Sequence, residues 1–391
     1  MATATGAFEL NDAPMAKDRT AGWQFVRDGG SVIRAADGTW LLTSAETVRF
    51  AHQHPEIFSS ARAFDGLGSP VPLIPLAVDP PDHRKFRRIL DPMLAPRVIN
   101  TMEDVLRNQV RALVRTFADT GRCDVVDDLA RLYPTQVFLT LFGMPIEDRD
   151  QFIAWVEMII DHSNNNSTAD PAPEVTEAAI ALFGYLQGNV DVKRSSPGDD
   201  ILSRVLSLEG EEAWSNDEVL GLCFLFTLAG LDTVTAAIGF VMLHLARDPQ
   251  LQRQLQAEPS MVGPVIEEVL RLELPAPLTP RVTTEDVEVD GELIPAGSPV
   301  MLCLGTANRQ LGNLTHPDTI DVGQADRGHL AFGGGIHRCL GSHLARRELR
   351  LVVEEFTALI PEYQVEPGAD PEVVWPSGTL HLRSLPLVFP A

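Results

Sequence analysis

The segment that opens at Ser215 constrains the fold more than any other. Ser215 followed three residues later by Glu218 is the spacing of a capping box, in which the two side chains satisfy each other's backbone N–H at the start of a helix. From Val219 to Ala246 the only Asp, Glu, Lys, Arg or His residues are Asp232 and His244. A straight helix over this stretch is roughly 40 Å long, and with apolar side chains all round it needs protein on every side. Its length would also suit a membrane span, but Asp232 falls at mid-span and no basic cluster flanks the ends, so the segment reads as a buried central helix. A chain built on such a helix is expected to be mainly α.

Covering helices are legible on both sides. From His83 to Asp119 and from Ala130 to Ile160, apolar residues recur at three and four with charged residues between them, the amphipathic signature. The stretch SNNNSTADPAP from Ser163 reads as a connection between two helices, and residues 59–81, with five prolines, as a loop lying over an apolar surface. Asp37-Gly38 and Asp290-Gly291 each sit between short β-prone runs and predict hairpins, and LHLRSLPLVF near the C-terminus alternates like a strand. No internal repeat or linker is visible, so one multihelical domain over residues 1–391 with small peripheral sheets is expected.

The net charge of −23, from 31 Lys and Arg against 54 Asp and Glu, disfavours nucleic acid and anionic membrane surfaces as partners. Cys123, Cys223, Cys303 and Cys339 are widely spaced with no CxxC, which argues against a disulfide framework or zinc ribbon and suits a reducing, cytoplasmic setting. The N-terminus has neither a signal-peptide nor a transit-peptide pattern.

The segment FGGGIHRCLGSHLARREL, from Phe332 to Leu349, carries the most chemistry. Gly333 to Gly335 let the backbone approach a flat ligand closely. The pattern turns helical after Cys339, which places the thiol at a helix N-terminus beside Arg338, an environment expected to lower its pKa and suit it to a soft or redox metal. Two other readings stand beside this one: Cys339 as a small buried residue, or His337, Cys339 and His343 as three zinc ligands with no evident fourth.

The run FGGGIHRCLG resembles the haem-binding signature of the cytochrome P-450 monooxygenases, Phe-Gly-x-Gly-x-His-x-Cys-x-Gly, at every specified position. The resemblance implies a haem-thiolate fold holding haem b, with Cys339 as the axial iron ligand and Phe332 and Gly333 against the haem. It extends to three further places. EEVLR supplies Glu268 and Arg271, which with Arg327 match the family's structural charge cluster. AGLDTV matches the oxygen-binding motif: Ala229 and Gly230 leave space over the iron, while Asp232 and Thr233 carry protons for O–O cleavage. His83 and Arg87, with Arg281 and His337, match the groups that bind the haem propionates. By family position Leu225, Leu228, Ala229, Pro277 and Thr279 line the distal pocket, with Leu73 and Ile74 above it. The chain departs from the family after Ala307-Asn308-Arg309, where Gln310 and Leu311 replace the common Asp-Pro.

The resemblance implies insertion of one atom of O2 into a mainly hydrophobic small molecule. No dinucleotide fingerprint is visible, so electrons are expected from NAD(P)H through a ferredoxin reductase and a ferredoxin. Arg84, Lys85, Arg88, Arg338, Arg346, Arg347 and Arg350 cluster in the two segments expected around the thiolate side and form a candidate docking patch on a monomeric enzyme. A peroxide-driven peroxygenase and a non-catalytic haem sensor or carrier are the alternatives.

Overall fold

The computed structural model describes residues 8–64, 69–164, 171–323 and 328–390. The chain enters through α1 (Arg19–Asp28), whose first turn is capped by Asp18, and a hairpin of β1 (Val32–Arg34) and β2 (Trp40–Leu42). Gly38 at φ +89° and the Asp37 side chain, which accepts from the Thr39 N–H, make its turn. Helix α2 (Ala45–Gln53) and β3 (Phe58–Ser59) follow. The 83–119 stretch is then divided into α3 (Asp82–Met93), α4 (Pro96–Thr101) and α5 (Glu103–Arg115). Pro96 lacks an N–H, cannot continue a helix from before it, and starts a new one instead.

Beyond β4 (Arg122–Asp124), the second amphipathic stretch likewise resolves into α6 (Leu132–Leu141) and α7 (Arg149–Asn164), separated at Gly143, which has φ +64°. The connection expected from Ser163 lies mostly outside the described residues, between α7 and α8 (Pro173–Ser195). After α9 (Ile201–Leu206) comes α10 (Asn216–Arg247), with both arms of the capping box formed: Glu218 N–H donates to Ser215 Oγ, and Ser215 N–H to the Glu218 carboxylate.

Helix α10 packs against α6, α7, α8, α9, α11, α12 and α14, and twenty of its residues are buried. It is the one described helix long and apolar enough to cross a membrane, and its apolar surface is used instead against protein. Each fully buried Leu, Val or Phe along it contributes about 1.5–3 kcal/mol.

The chain continues through α11 (Pro249–Ala257) and α12 (Val262–Leu272) into β5 (Leu278–Thr283), the hairpin β6 (Val287–Val289) and β7 (Glu292–Ile294), and β8 (Pro299–Cys303). Asp290 and Gly291, both at positive φ, turn that hairpin as the dipeptide predicts. Helices α13 (Leu304–Ala307) and α14 (Ser342–Leu359) precede β9 (Gln364–Val365) and β10 (Pro386–Val388). One sheet runs β1-β2-β8-β5-β3 and another β4-β10-β9, both small beside the helices. The C-terminal strand is shorter than its alternation predicts. The Asp124 carboxylate takes the Leu385 N–H and the Ser384 hydroxyl, and Pro386 has no N–H, so pairing starts only there.

The departure at Gln310 has a structural answer. Gln310 Oε1 accepts the Ala45 N–H at 2.9 Å, satisfying a free donor in the first turn of α2, and Leu311 is buried in the core beside the five-stranded sheet.

Candidate active site

The cysteine loop is formed by local backbone geometry. Gly333 and Gly335 have φ +66° and +63°, the left-handed region, and between them Gly334 is extended. A Cβ on Gly334 would sit 2.7 Å from His52 Nδ1, and one on Gly335 2.2 Å from the His52 carbonyl oxygen. The loop therefore lies directly on the C-terminal end of α2, a contact that only glycine permits. The Cys339 N–H donates back to the Phe332 carbonyl at 2.8 Å, closing the loop. Its far side is held by Arg87, which donates to the Arg338 carbonyl at 2.8 Å while pairing with Asp91. Phe332 lies under the Arg346 guanidinium, 4.3 Å from ring centroid to Cζ.

The Cys339 thiol is accessible to solvent although it is packed about by protein, so it faces a cleft rather than the outer surface. Helix α14 begins at Ser342, three residues after it. This corrects the expected pKa: burial pushes the thiol up, and the Gly341 hydrogen bond, Arg87, Arg346 and Arg338 offset that only in part. Thiolate character at this position therefore depends on a bound metal, which deprotonates a coordinating thiol. The zinc reading fails on geometry, since among the described residues no three His, Cys, Asp or Glu side chains converge on a common point.

A second cluster fits an anionic ligand. The His83 and His337 rings stand 4.5 Å apart, and the Nε2 atom of each is buried with no hydrogen-bond partner among the described residues. Arg281 is buried on β5, and among the described residues its guanidinium donates only to the neighbouring Pro280 carbonyl. Burial pushes Arg281 down to about 10; burial followed by Arg281 and His83 pushes His337 down to about 3; burial followed by Arg87 lowers His83. His52 belongs to the same cluster, at about 4 through burial and Arg281, with Nδ1 buried and without a partner among the described residues, and no sequence motif points to it. Buried donors and cations crowded in this way are stabilised by a dicarboxylate placed among them.

On α10, Ala229 is exposed although Leu225 and Leu231 on either side are buried, so the helix borders an open space at that turn. Gly230, Asp232 and Thr233 are half-buried there, and the Thr233 hydroxyl donates to the Ala229 carbonyl at 2.7 Å. Asp232 has its carboxyl pKa raised by burial, against the opposing pull of Thr379 and His381. Of the expected pocket residues, Leu228 and Thr279 are half-buried, and Thr279 Oγ1 has no partner among the described residues. Leu73, Ile74, Leu225 and Pro277 are buried in protein packing.

Glu268 and Arg271 form a buried bidentate pair at 2.8 and 2.9 Å. Arg271 also donates to the carbonyls of Pro317 and Thr319, and Glu268 accepts the Asp321 N–H, so the pair anchors the segment leading to the cysteine loop. Arg327, expected as its third member, lies outside the described residues. Arg309 does similar work unforeseen: it pairs with Asp318 at 2.6 Å and donates to the Gly305 and Leu272 carbonyls.

The family model for cytochrome P-450 matches residues 37–386. The chain belongs to the cytochrome P-450 family. It is 35% identical over 345 residues to a probable cytochrome P-450, 127A1, of Sinorhizobium fredii, covering 87% of this chain and 81% of that one. It is 33% identical to the vitamin D(3) 25-hydroxylase of Pseudonocardia autotrophica over 378 residues, 92% of each chain. Among solved structures, a mutant of the cytochrome P-450 EryK in complex with erythromycin B superposes with a TM-score of 0.85 at 29% identity, over 98% of both chains. The protein is thus a monooxygenase of the haem-thiolate type, and both clusters suit its cofactor: the accessible Cys339 thiol for the iron, the His83, Arg87, Arg281 and His337 group for the propionates.

Proposed function

We propose that this cytochrome P-450 hydroxylates or epoxidises a mainly hydrophobic small molecule of terpenoid, steroid, fatty-acid or polyketide-like type, with electrons from NAD(P)H through a ferredoxin reductase and a ferredoxin. The exposed Ala229 in the middle of the mostly buried α10 carries this reading, because it opens an apolar wall, with Leu228 beside it, where the family's oxygen motif lies. The similarity to a vitamin D(3) hydroxylase and to the erythromycin C-12 hydroxylase of Saccharopolyspora erythraea, 31% identical over 89% of each chain, supports an apolar substrate class.

Haem, when bound, supplies the one-electron chemistry that activates O2. Cys339 would hold the iron, and the cationic cluster the propionates. Thr233 and Asp232 hold and pass protons at the hydroxyl and carboxyl on α10, and Ala229 and Leu228 exclude water from the substrate's side. This acid and alcohol pair supports the O2-dependent reaction over a peroxide-driven one, which would bypass it.

Docking of a ferredoxin is proposed at the thiolate side. Lys85, Arg88, Arg346, Arg347 and Arg350 each have a carboxylate partner, in Glu218, Glu212, Glu267, Glu103 and Glu354. Arg84 and Arg338 are exposed with none among the described residues, so they carry the uncompensated charge; Arg346, Arg347 and Arg350 border a groove of about 240 Å³ between α4, α12 and α14. Optical titration of the ferric holoprotein with members of the four compound classes tests the substrate reading: a low-spin to high-spin change with one class supports it, and a spectrum moved only by small polar compounds overturns it.

A further inference from the structure

One carboxylate holds the cysteine loop at both ends, and the haem signature does not include it. Glu267 and Glu268 are neighbours on α12, and successive residues of a helix point about 100° apart. Glu268 anchors the segment before the loop, at Asp321, while Glu267 turns to the loop itself. Glu267 Oε1 accepts from Arg346 Nε at 2.7 Å, and Oε2 accepts from Arg346 Nη2 at 2.8 Å and from His329 Nε2 at 3.0 Å. His329 precedes Phe332 and Arg346 follows Cys339, so the two partners stand on either side of the loop. The backbone sets the tautomer of His329: the Ala331 N–H donates to Nδ1 at 3.1 Å, which leaves the ring proton on Nε2, facing Glu267. Both partners also meet the Phe332 ring, the Arg346 Cζ at 4.3 Å from its centroid and the His329 ring at 5.9 Å between centroids. Phe332 in turn presents the carbonyl that takes the Cys339 N–H at 2.8 Å. Against burial, which would raise it, His329 and Arg346 hold the Glu267 carboxyl down to about 2, so the clamp is charged at neutral pH.

We propose that Glu267 is a positioning residue for Cys339: bound to His329 before the loop and to Arg346 after it, its carboxylate fixes Phe332 and, through the Phe332 carbonyl, the place of the Cys339 sulfur. Gly333 to Gly335 offer no side chains that could hold the loop from within, so its ends carry that task together with its contact on α2. The Arg346 pair alone would tie only α14 to α12; the bond from His329 brings the near end of the loop to the same carboxylate. The inference rests on Cys339 being the iron ligand.

The test uses the full-length holoprotein, reduced chemically so that ferredoxin docking plays no part. Under carbon monoxide, the rate at which the thiolate-type band is lost is followed at a urea concentration that leaves the helices folded by circular dichroism. Glu267→Gln should raise that rate about tenfold or more, the worth of one hydrogen bond to a charged group. Glu354→Gln is the control. Glu354 is likewise a partly buried carboxylate with two arginine partners, Arg107 at 2.7 Å and Arg350 at 2.6 Å, and it lies on α14 well beyond the loop. Its loss should lower the urea midpoint of helix unfolding without speeding the loss of the band. His329→Phe removes one arm, and Arg346→Lys keeps the charge of the other without its fork, so each should give a smaller increase than Glu267→Gln. A rate in Glu267→Gln no higher than in Glu354→Gln, or one fully matched by the loss of a single arm, overturns the inference. A parent with no thiolate-type band overturns the reading of Cys339 itself, and the clamp with it.

Discussion

The cysteine loop allows a graded test of why its glycines are needed. Gly333→Ala places a methyl group in open space, because no atom lies within 4 Å of the added Cβ, and the cost is that of φ +66° alone, roughly 1–2 kcal/mol. Gly334→Ala carries no conformational cost at φ −154° but meets His52 Nδ1 at 2.7 Å, an overlap with a side chain that costs about 1–3 kcal/mol. Gly335→Ala suffers both, at φ +63° and 2.2 Å from a main-chain oxygen that cannot rotate away, for a sum of about 2–5 kcal/mol. Relief requires the loop to move by about 1 Å or more to reach van der Waals distance, and a misplacement of that size at a reacting centre can cost about 100-fold in rate. The assay is haem content per protein, the carbonyl spectrum of the reduced protein, and chemical unfolding. Gly333→Ala should retain haem with a small loss of stability, and Gly335→Ala should lose haem or the thiolate-type spectrum. Gly334→Ala should be intermediate, and its unfolding stability should recover in Gly334→Ala/His52→Ala. Equal behaviour of the three single variants, or no recovery in the double, would refute the reasoning.

Other outcomes follow from buried charges and close contacts. Glu273 is buried between Arg19 at 2.5 Å and His244 at 3.0 Å; despite the opposing effect of burial, these partners hold its carboxyl down to about 2, below the ordinary 4.5. Its folded pKa is depressed, so the stabilisation, about 3 kcal/mol, is complete above pH 4.5 and is lost as pH falls through 2. Glu273→Gln should therefore be less stable by about that amount at pH 7, with the difference from the parent narrowing as unfolding is measured towards pH 2. Gly221 of α10 meets the Pro72 carbonyl oxygen 1.9 Å from its missing Cβ, so Gly221→Ala should push the Pro-rich loop off the helix and weaken substrate-induced spin change. Gly184→Ala on α8, where nothing lies within 4 Å, serves as its control.

The parts of the fold read from sequence are those set by neighbours in the chain. Ser215 and Glu218 announce α10 because a capping box closes within four residues, and Asp37-Gly38 and Asp290-Gly291 announce hairpins because their φ angles are local. Cys339 and its glycines are legible for the same reason, as one short segment. Periodicity alone did not show that the 83–119 stretch would be divided into three helices, since the apolar face continues across the break at Pro96. What the sequence concealed are side chains whose partners are distant in the chain. Gln310 caps a helix 265 residues away, and His52 supports a loop some 280 residues later. The direction of the thiol's pKa is not legible in the sequence, which shows the arginines near Cys339 but not its burial.

Cys339 is proposed as the residue that holds haem iron. The most direct measurement is the carbon monoxide difference spectrum of the reduced protein beside that of Cys339→Ser, at matched haem content. A thiolate-type band in the parent that is absent from Cys339→Ser is the predicted result, and the same band in both, or in neither, would contradict the account.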